Sequence, residues 1–352
     1  MTFGPHHYVP VLKVKSNEKA AIAQVMAAHR AHVTPLLEVV ERKDKPLGKH
    51  LDTAFNGLAK SITGFTRCFL DVRELATDGP TAAEQVFRRA AAVGIPFAPV
   101  TGVSRVSDLP AALQHRTHGL VLRLSRAEFE AGNLRRTLDR FMTRHGLARA
   151  EIDLVIDLGP VEDMIVDGVI GLTTAFLAEV PAHTEWRTFT LSACAFPLSM
   201  ALVGRHSHEQ IERSEWLAWK NNLYAGRRRL ARLPTFSDCA IQHPSGVEGF
   251  DPKIMPVSAT VRYAGQSDWL LIKGESTRAV LPGIQFPQLA KRLVYGQLKP
   301  HFAGVSHCAG CNEIKRAADG ADRYGSAGVW RKLGTIHHIE TVIEGLAALS
   351  WP

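Results

Sequence analysis

Residues 151–159 read EIDLVIDLG. Asp153, Val155 and Asp157 share one face of such a strand, because residues two apart point the same way. The run is otherwise almost wholly apolar, which is how a parallel strand buried on both faces reads. Seven more stretches have the same character: 8–15 (YVPVLKVK), 33–41 (VTPLLEVVE), 67–75 (RCFLDVREL), 95–103 (IPFAPVTGV), 118–125 (HGLVLRLS), 187–196 (RTFTLSACAF) and 234–243 (PTFSDCAIQH). Amphipathic segments of helical length lie between them. Eight β–α steps predict an α/β chain closed into a (β/α)8, TIM-like barrel.

The intervening segments carry their own punctuation. Ser16 and Asn17 can cap a helix over 18–31, and 81–93 follows Gly79-Pro80 and stops at Gly94. Helices are also predicted over 133–145, 161–180 and 198–232, the last long enough to be two. Beyond the eighth run the pattern changes. Residues 257–264 (VSATVRYA) alternate, 265–267 turn and 268–273 (DWLLIK) are apolar again, which is a β-hairpin signal ahead of helices at 287–298 and 337–349. One domain over 1–352 is expected: eight β/α units over 1–244, a hairpin insertion over 245–286, and a final helix with a C-terminal cap over 287–352.

Composition narrows the class without naming a reaction. The 352 residues are 45% hydrophobic and 22% charged, as in ordinary globular proteins. No run of ~18 apolar residues occurs and the N-terminus lacks a basic, then apolar, leader, so neither a membrane partner nor secretion is expected. Five cysteines make no disulfide scaffold, and a cytoplasmic location is the default expectation. Lys and Arg exceed Asp and Glu by 8, which favours polyanionic partners such as nucleic acid.

The polar residues of the eight runs collect towards their ends: Lys13 and Lys15, Glu38, Asp71 and Arg73, Arg123, Asp153 and Asp157, then Asp238, Gln242 and His243. A barrel interior is filled with apolar layers, so charges there must be paired or lie at the wet mouth. The expectation is a shared polar mouth; structural ion pairing or a slipped register is the competing reading. Glu38, Asp71 and Asp157 form a set of oxygen ligands suited to Mg²⁺ or Mn²⁺. Lys13, Lys15, Arg73 and Arg123 suit phosphate. A Schiff-base lysine on the first strand stays open as an alternative.

Cys308-Ala-Gly-Cys311 is a C-x-x-C pair beside His307, with His301 nearby. Zinc is not expected, because a structural site needs four ligands and no second C-x-x-C exists; Cys239 and His243 could complete one only by folding close. His337 and His338 are adjacent, so at most one would enter a given site. There is no Walker A loop, GxSxG elbow or GxGxxG fingerprint, and HEQIE at 208–212 lacks the second histidine of a zinc protease.

YVPVLKVKSNEKAAI (8–22), VTPLLEVVE (33–41), SDCAIQHP (237–244), VSATVRYAGQSDWLLIKG (257–274) and VWRKLGTIHHIETVIEGLA (329–347) together resemble the beta family, a set of bacterial and phage-associated proteins. The resemblance implies family-pattern positions at Lys13, Glu38, Asp238, His243, Arg262, Tyr263, Trp330, Arg331, His337 and His338. Tyrosine commonly stands in that family where Cys239 stands here. The resemblance implies a link to phage–host conflict or defence, with a partner protein of a defence system, and no particular reaction.

Two functions follow as expectations. One is a metal-assisted hydrolase acting on a nucleotide or nucleic acid, with Lys13, Glu38, Asp71 and Asp157 in the catalytic centre and His243 or His338 as general acid or base. Lys15, Arg73, Arg123, Arg262, Tyr263 and Arg331 would bind its substrate. The other is a non-catalytic subunit that binds nucleic acid or protein.

Overall fold

A computed structural model describes residues 3–245, 257–321 and 324–350. In chain order its strands are β1 (Tyr8–Lys13), β2 (Leu36–Glu38), β3 (Cys68–Asp71), β4 (Phe97–Thr101), β5 (Leu120–Leu124), β6 (Ile152–Pro160), β7 (Thr188–Cys194), β8 (His208–Glu212), β9 (Thr235–Asp238), β10 (Ser258–Ala264) and β11 (Asp268–Ser276). β1 to β7 and β9 pair in parallel, in sequence order, and close into a barrel. All eight apolar runs are therefore barrel strands. Register decides what meets inside: Glu38 sits beside Lys13 on one side and Asp71 on the other. Arg123 pairs with Val155, two residues before Asp157.

Helices cover the barrel as the apolar spacing predicts, at Pro80–Ala92, Leu134–His145 and Val166–Glu179. The first helix stops at Ile22, and a 3₁₀ segment over Ala27–His32 replaces its expected second half. There the Met26 amide donates to Glu340 at 2.7 Å instead of continuing the helix.

The largest departure lies in 198–232. Where a long helix is expected, HEQIE forms β8 and pairs antiparallel with β11, giving a three-stranded sheet ordered β10-β11-β8. Its five residues leave β8 largely exposed, so hydrogen bonding to a neighbour, and no apolar pattern of its own, makes it a strand. Ser214–Ala218 then forms a short α-helix that widens into a π-turn over Trp219–Tyr224. The hairpin lies where the alternation puts it; residues 246–256, at the start of the expected insertion, lie outside the described residues.

This small sheet and the helices Pro282–Val294 and Ala309–Ala318 form an accessory layer with its own core. The 21-residue helix Ala327–Ala347 ties that layer to the barrel. Two glycines let it come close. A Cβ on Gly334 would lie 2.6 Å from the Arg262 carbonyl oxygen, and one on Gly310 would lie 2.6 Å from that of Leu333. Among the described residues, no helix is long and apolar enough to cross a membrane.

Candidate functional site

The strand-end charges converge at the C-terminal mouth. Arg123, 4% exposed, is their hub. Its Nε donates to Asp157 Oδ2 at 2.9 Å, and its Nη1 donates to Glu38 Oε1 at 2.7 Å and Asp71 Oδ2 at 2.9 Å. Arg73 comes from just beyond β3 and reaches Glu38 at 2.8 Å and Asp157 at 3.2 Å, with its side chain 31% exposed. Lys13 Nζ lies 2.7 Å from Glu38 Oε2 and also contacts Glu74. Arg105 folds over the mouth, 2.8 Å from Asp71 Oδ1, and donates to Asp108 at 2.7 Å. Gly102 leaves room for it, since a Cβ there would meet Arg105 Cδ and the Arg123 carbonyl at 3.1 Å.

The electrostatics follow from burial set against partners. Burial alone would raise the Glu38 carboxyl, but Arg123, Arg73 and Lys13 outweigh it and bring the pKa down to about 2. Asp71 is likewise pushed up by burial and pulled further down by Arg105, Arg123 and Arg73, well below the usual carboxylate range. Burial would depress Lys13 and Arg123, yet their carboxylates hold both above their ordinary values. Asp108 is the exception: burial keeps it raised despite Arg105.

This arrangement bears on the metal reading of Glu38, Asp71 and Asp157. All three carboxylates already bind Arg123, whose guanidinium occupies the space between them where a hard cation would sit. A Mg²⁺ or Mn²⁺ ion would have to displace a buried guanidinium, so the donor set does not fit such an ion. The placement of Asp153 is corrected. It lies near the start of β6, at the opposite end of the barrel, where it accepts from Arg67 at 2.8 Å, Arg187 Nε at 3.1 Å and Thr188 at 2.8 Å.

His243 does reach the mouth. It is 8% exposed, its Nε2 lies 2.9 Å from Glu162 Oε1, and its Nδ1 accepts the Ser245 amide at 3.2 Å. It lines a small pocket with Lys13, Glu38, Cys239 and Gln242. His338 does not reach it. That side chain is fully buried in the outer layer, 2.9 Å from Asp238 Oδ2, and Asp238 Oδ1 also accepts from Tyr8 at 2.5 Å. Burial lowers the His338 pKa more than Asp238 raises it, and the ring is closed off from solvent.

The remaining cations form an outer rim. Lys15 is exposed just past β1, and Arg331 is half-buried in the first turns of the long helix. Neither has an ion-pair partner among the described residues. Among the described residues Arg126 donates to the carbonyls of Leu158 and, at 2.6 Å, Pro160, at the end of β6. Arg262 lies over the Phe196 ring and donates to the Ile241 carbonyl at 2.8 Å. Burial first, then the charge of Arg331, lowers its pKa to about 10, with Glu18 opposing. Glu18 is 1% exposed; it accepts from Gln242, which links this arginine pair to the Lys13–His243 pocket. Tyr263 is elsewhere, buried in the accessory layer against His337.

The loop residues Arg105, Glu74, Asp108 and Glu162 went unforeseen. They lie outside the strands whose periodicity marks a face. A family model described as Beta protein matches residues 8–344, nearly the whole chain. Among curated proteins, none matches it.

Proposed function

The chain belongs to the Beta protein family, and from that premise we propose that its barrel mouth binds a phosphate-bearing ligand, a nucleotide or a nucleic-acid strand. One observation carries the reading. Arg331 lies near enough to Arg262 for its charge to add to burial in lowering the Arg262 pKa to about 10, with both guanidiniums still charged and Glu18 opposing among the described residues. Two guanidiniums held together in a half-buried setting are relieved by an anion, and phosphate matches their planar donor fork. Lys15 and Arg126 extend the same cationic rim, whereas Arg123, Arg73 and Lys13 are matched by carboxylates and act as its foundation. Polyanion association also fits the chain's excess of 8 positive charges.

A second reading, hydrolysis of the bound ester, has one observation in its favour. His243 lies beside Lys13 in the same pocket, and its buried Nε2, 2.9 Å from Glu162 Oε1, makes no aligned hydrogen bond among the described residues, which leaves that nitrogen able to pass a proton to or from a reacting oxygen. The test is a panel of nucleotides and of single- and double-stranded DNA and RNA, followed by equilibrium binding and by turnover with Mg²⁺, with Mn²⁺ and with chelator. Saturable binding that weakens steeply with salt supports the proposal. Turnover abolished in His243→Gln with binding retained supports the second reading. If no member of the panel binds better than to a barrel protein of equal net charge, the proposal fails.

A further inference from the structure

The accessory layer gathers thiols and imidazoles that the mouth does not use. Cys308 caps the helix Ala309–Ala318, and its Sγ accepts the Cys311 amide at 3.3 Å. The Gly310 contact brings this turn against the long helix, where His337 turns its Nδ1 towards both sulfurs, 3.3 Å from Cys311 and 4.0 Å from Cys308. His307, Cys308 and His337 each offer a ligand atom within 4.8 Å of the others, and Cys311 joins them through its contact with His337. Cys239 and His243, the partners considered from the sequence, are not involved. His243 lies at the mouth.

We propose that Cys308, Cys311, His337 and His307 form a Cys2His2 zinc site that clamps the accessory layer to the helix Ala327–Ala347. Three features support it. Tetrahedral bonds of ~2.3 Å to sulfur and ~2.0 Å to nitrogen place S and N roughly 3.5 Å apart, between the two separations seen here. Thiolate and imidazole together select a borderline-soft ion over Mg²⁺ or Ca²⁺. The outer partners are those a metal site uses. His337 Nε2 donates to the Ala264 carbonyl at 2.7 Å, which leaves Nδ1 as the lone pair facing the sulfurs. The Tyr263 hydroxyl accepts the Ala303 amide at 3.0 Å, so its own proton is free to point at Cys311 Sγ, 3.2 Å away. His307 Nδ1 lies 3.0 Å from Glu344 and its Nε2 lies 3.2 Å from the Thr341 hydroxyl, a contact that Nε2 would exchange for the ion. On binding, the two thiols release their protons to solvent and no redox change occurs.

The whole chain, purified and counted for metal by mass spectrometry, should carry about one zinc per chain. After chelation and loading with Co²⁺ it should show thiolate-to-cobalt charge-transfer absorption and intense tetrahedral d–d bands. Cys308→Ser and Cys311→Ser should lose both signals, and Cys239→Ser should keep them. A wild-type chain that is folded by circular dichroism but takes up neither ion overturns the proposal. A Cys308–Cys311 disulfide in the freshly purified chain, or a charge-transfer band that survives in Cys308→Ser, overturns it too.

Discussion

The two ends of the barrel solve the same problem differently. At the floor, the buried carboxylate of Asp153 collects Arg67, Arg187 and Thr188, and Arg67 is anchored further by the His118 carbonyl at 2.9 Å. Gly119, at φ +105°, lies so close to Arg187 that any Cβ would overlap its guanidinium. Floor charge is largely consumed internally; Arg232 there donates to the Trp186 and Arg187 carbonyls, with no carboxylate contact among the described residues. At the mouth the buried layer is equally consumed, by Arg123 among Glu38, Asp71 and Asp157. Above it, however, Lys15, Arg126, Arg262 and Arg331 remain without a carboxylate contact among the described residues. The difference separates a network that holds the barrel from one that also faces a ligand.

The sharpest way to break this comparison is to remove the hub. Arg123→Met removes the one partner shared by three buried carboxylates, leaving them Lys13, Arg73 and Arg105, and should cost on the order of 3–5 kcal/mol of unfolding free energy in urea denaturation. Arg67→Met leaves Asp153 with Arg187 and Thr188 and should cost less. Equal losses would mean that the mouth network is no more coupled than the floor.

Acid provides the next test. Glu38 is held at about 2 against an ordinary 4.5, so the folded chain binds that proton less tightly than the unfolded chain. Its contribution, on the order of 3 kcal/mol, is present above about pH 5 and is lost as the pH falls towards 2. Glu38→Gln should flatten that part of the stability–pH curve, read from urea midpoints between pH 6 and roughly pH 3. An unchanged slope would remove Glu38 from the network.

Sequence legibility followed the same division. The barrel strands were readable because both of their faces are buried, and Lys13, Glu38, Asp71, Arg123 and Asp157 because inward positions near strand ends recur every second residue. Asp153 shares their face but lies at the wrong end, which alternation alone cannot tell. β8 was missed because HEQIE becomes a strand only by pairing with β11. His337 and His338 were seen as diverging, and they do: one faces the cysteines and the other Asp238.

Smaller effects sharpen the rim. Lys15→Ala removes an exposed, unpaired cation, so stability should stay within about 0.5 kcal/mol by thermal unfolding. The slope of log affinity for single-stranded DNA against log salt should fall by about one. A lowered melting temperature with an unaltered slope would make Lys15 structural.

The most direct measurement is a fluorescence-anisotropy titration of a labelled single-stranded oligonucleotide with the wild-type chain and with Arg331→Ala at one salt concentration. Arg331 has no ion pair among the described residues, so its loss should leave the unfolding midpoint in place and weaken binding about tenfold, roughly 1.4 kcal/mol. Equal affinities for the two chains would contradict the assignment of the mouth as a phosphate-binding surface.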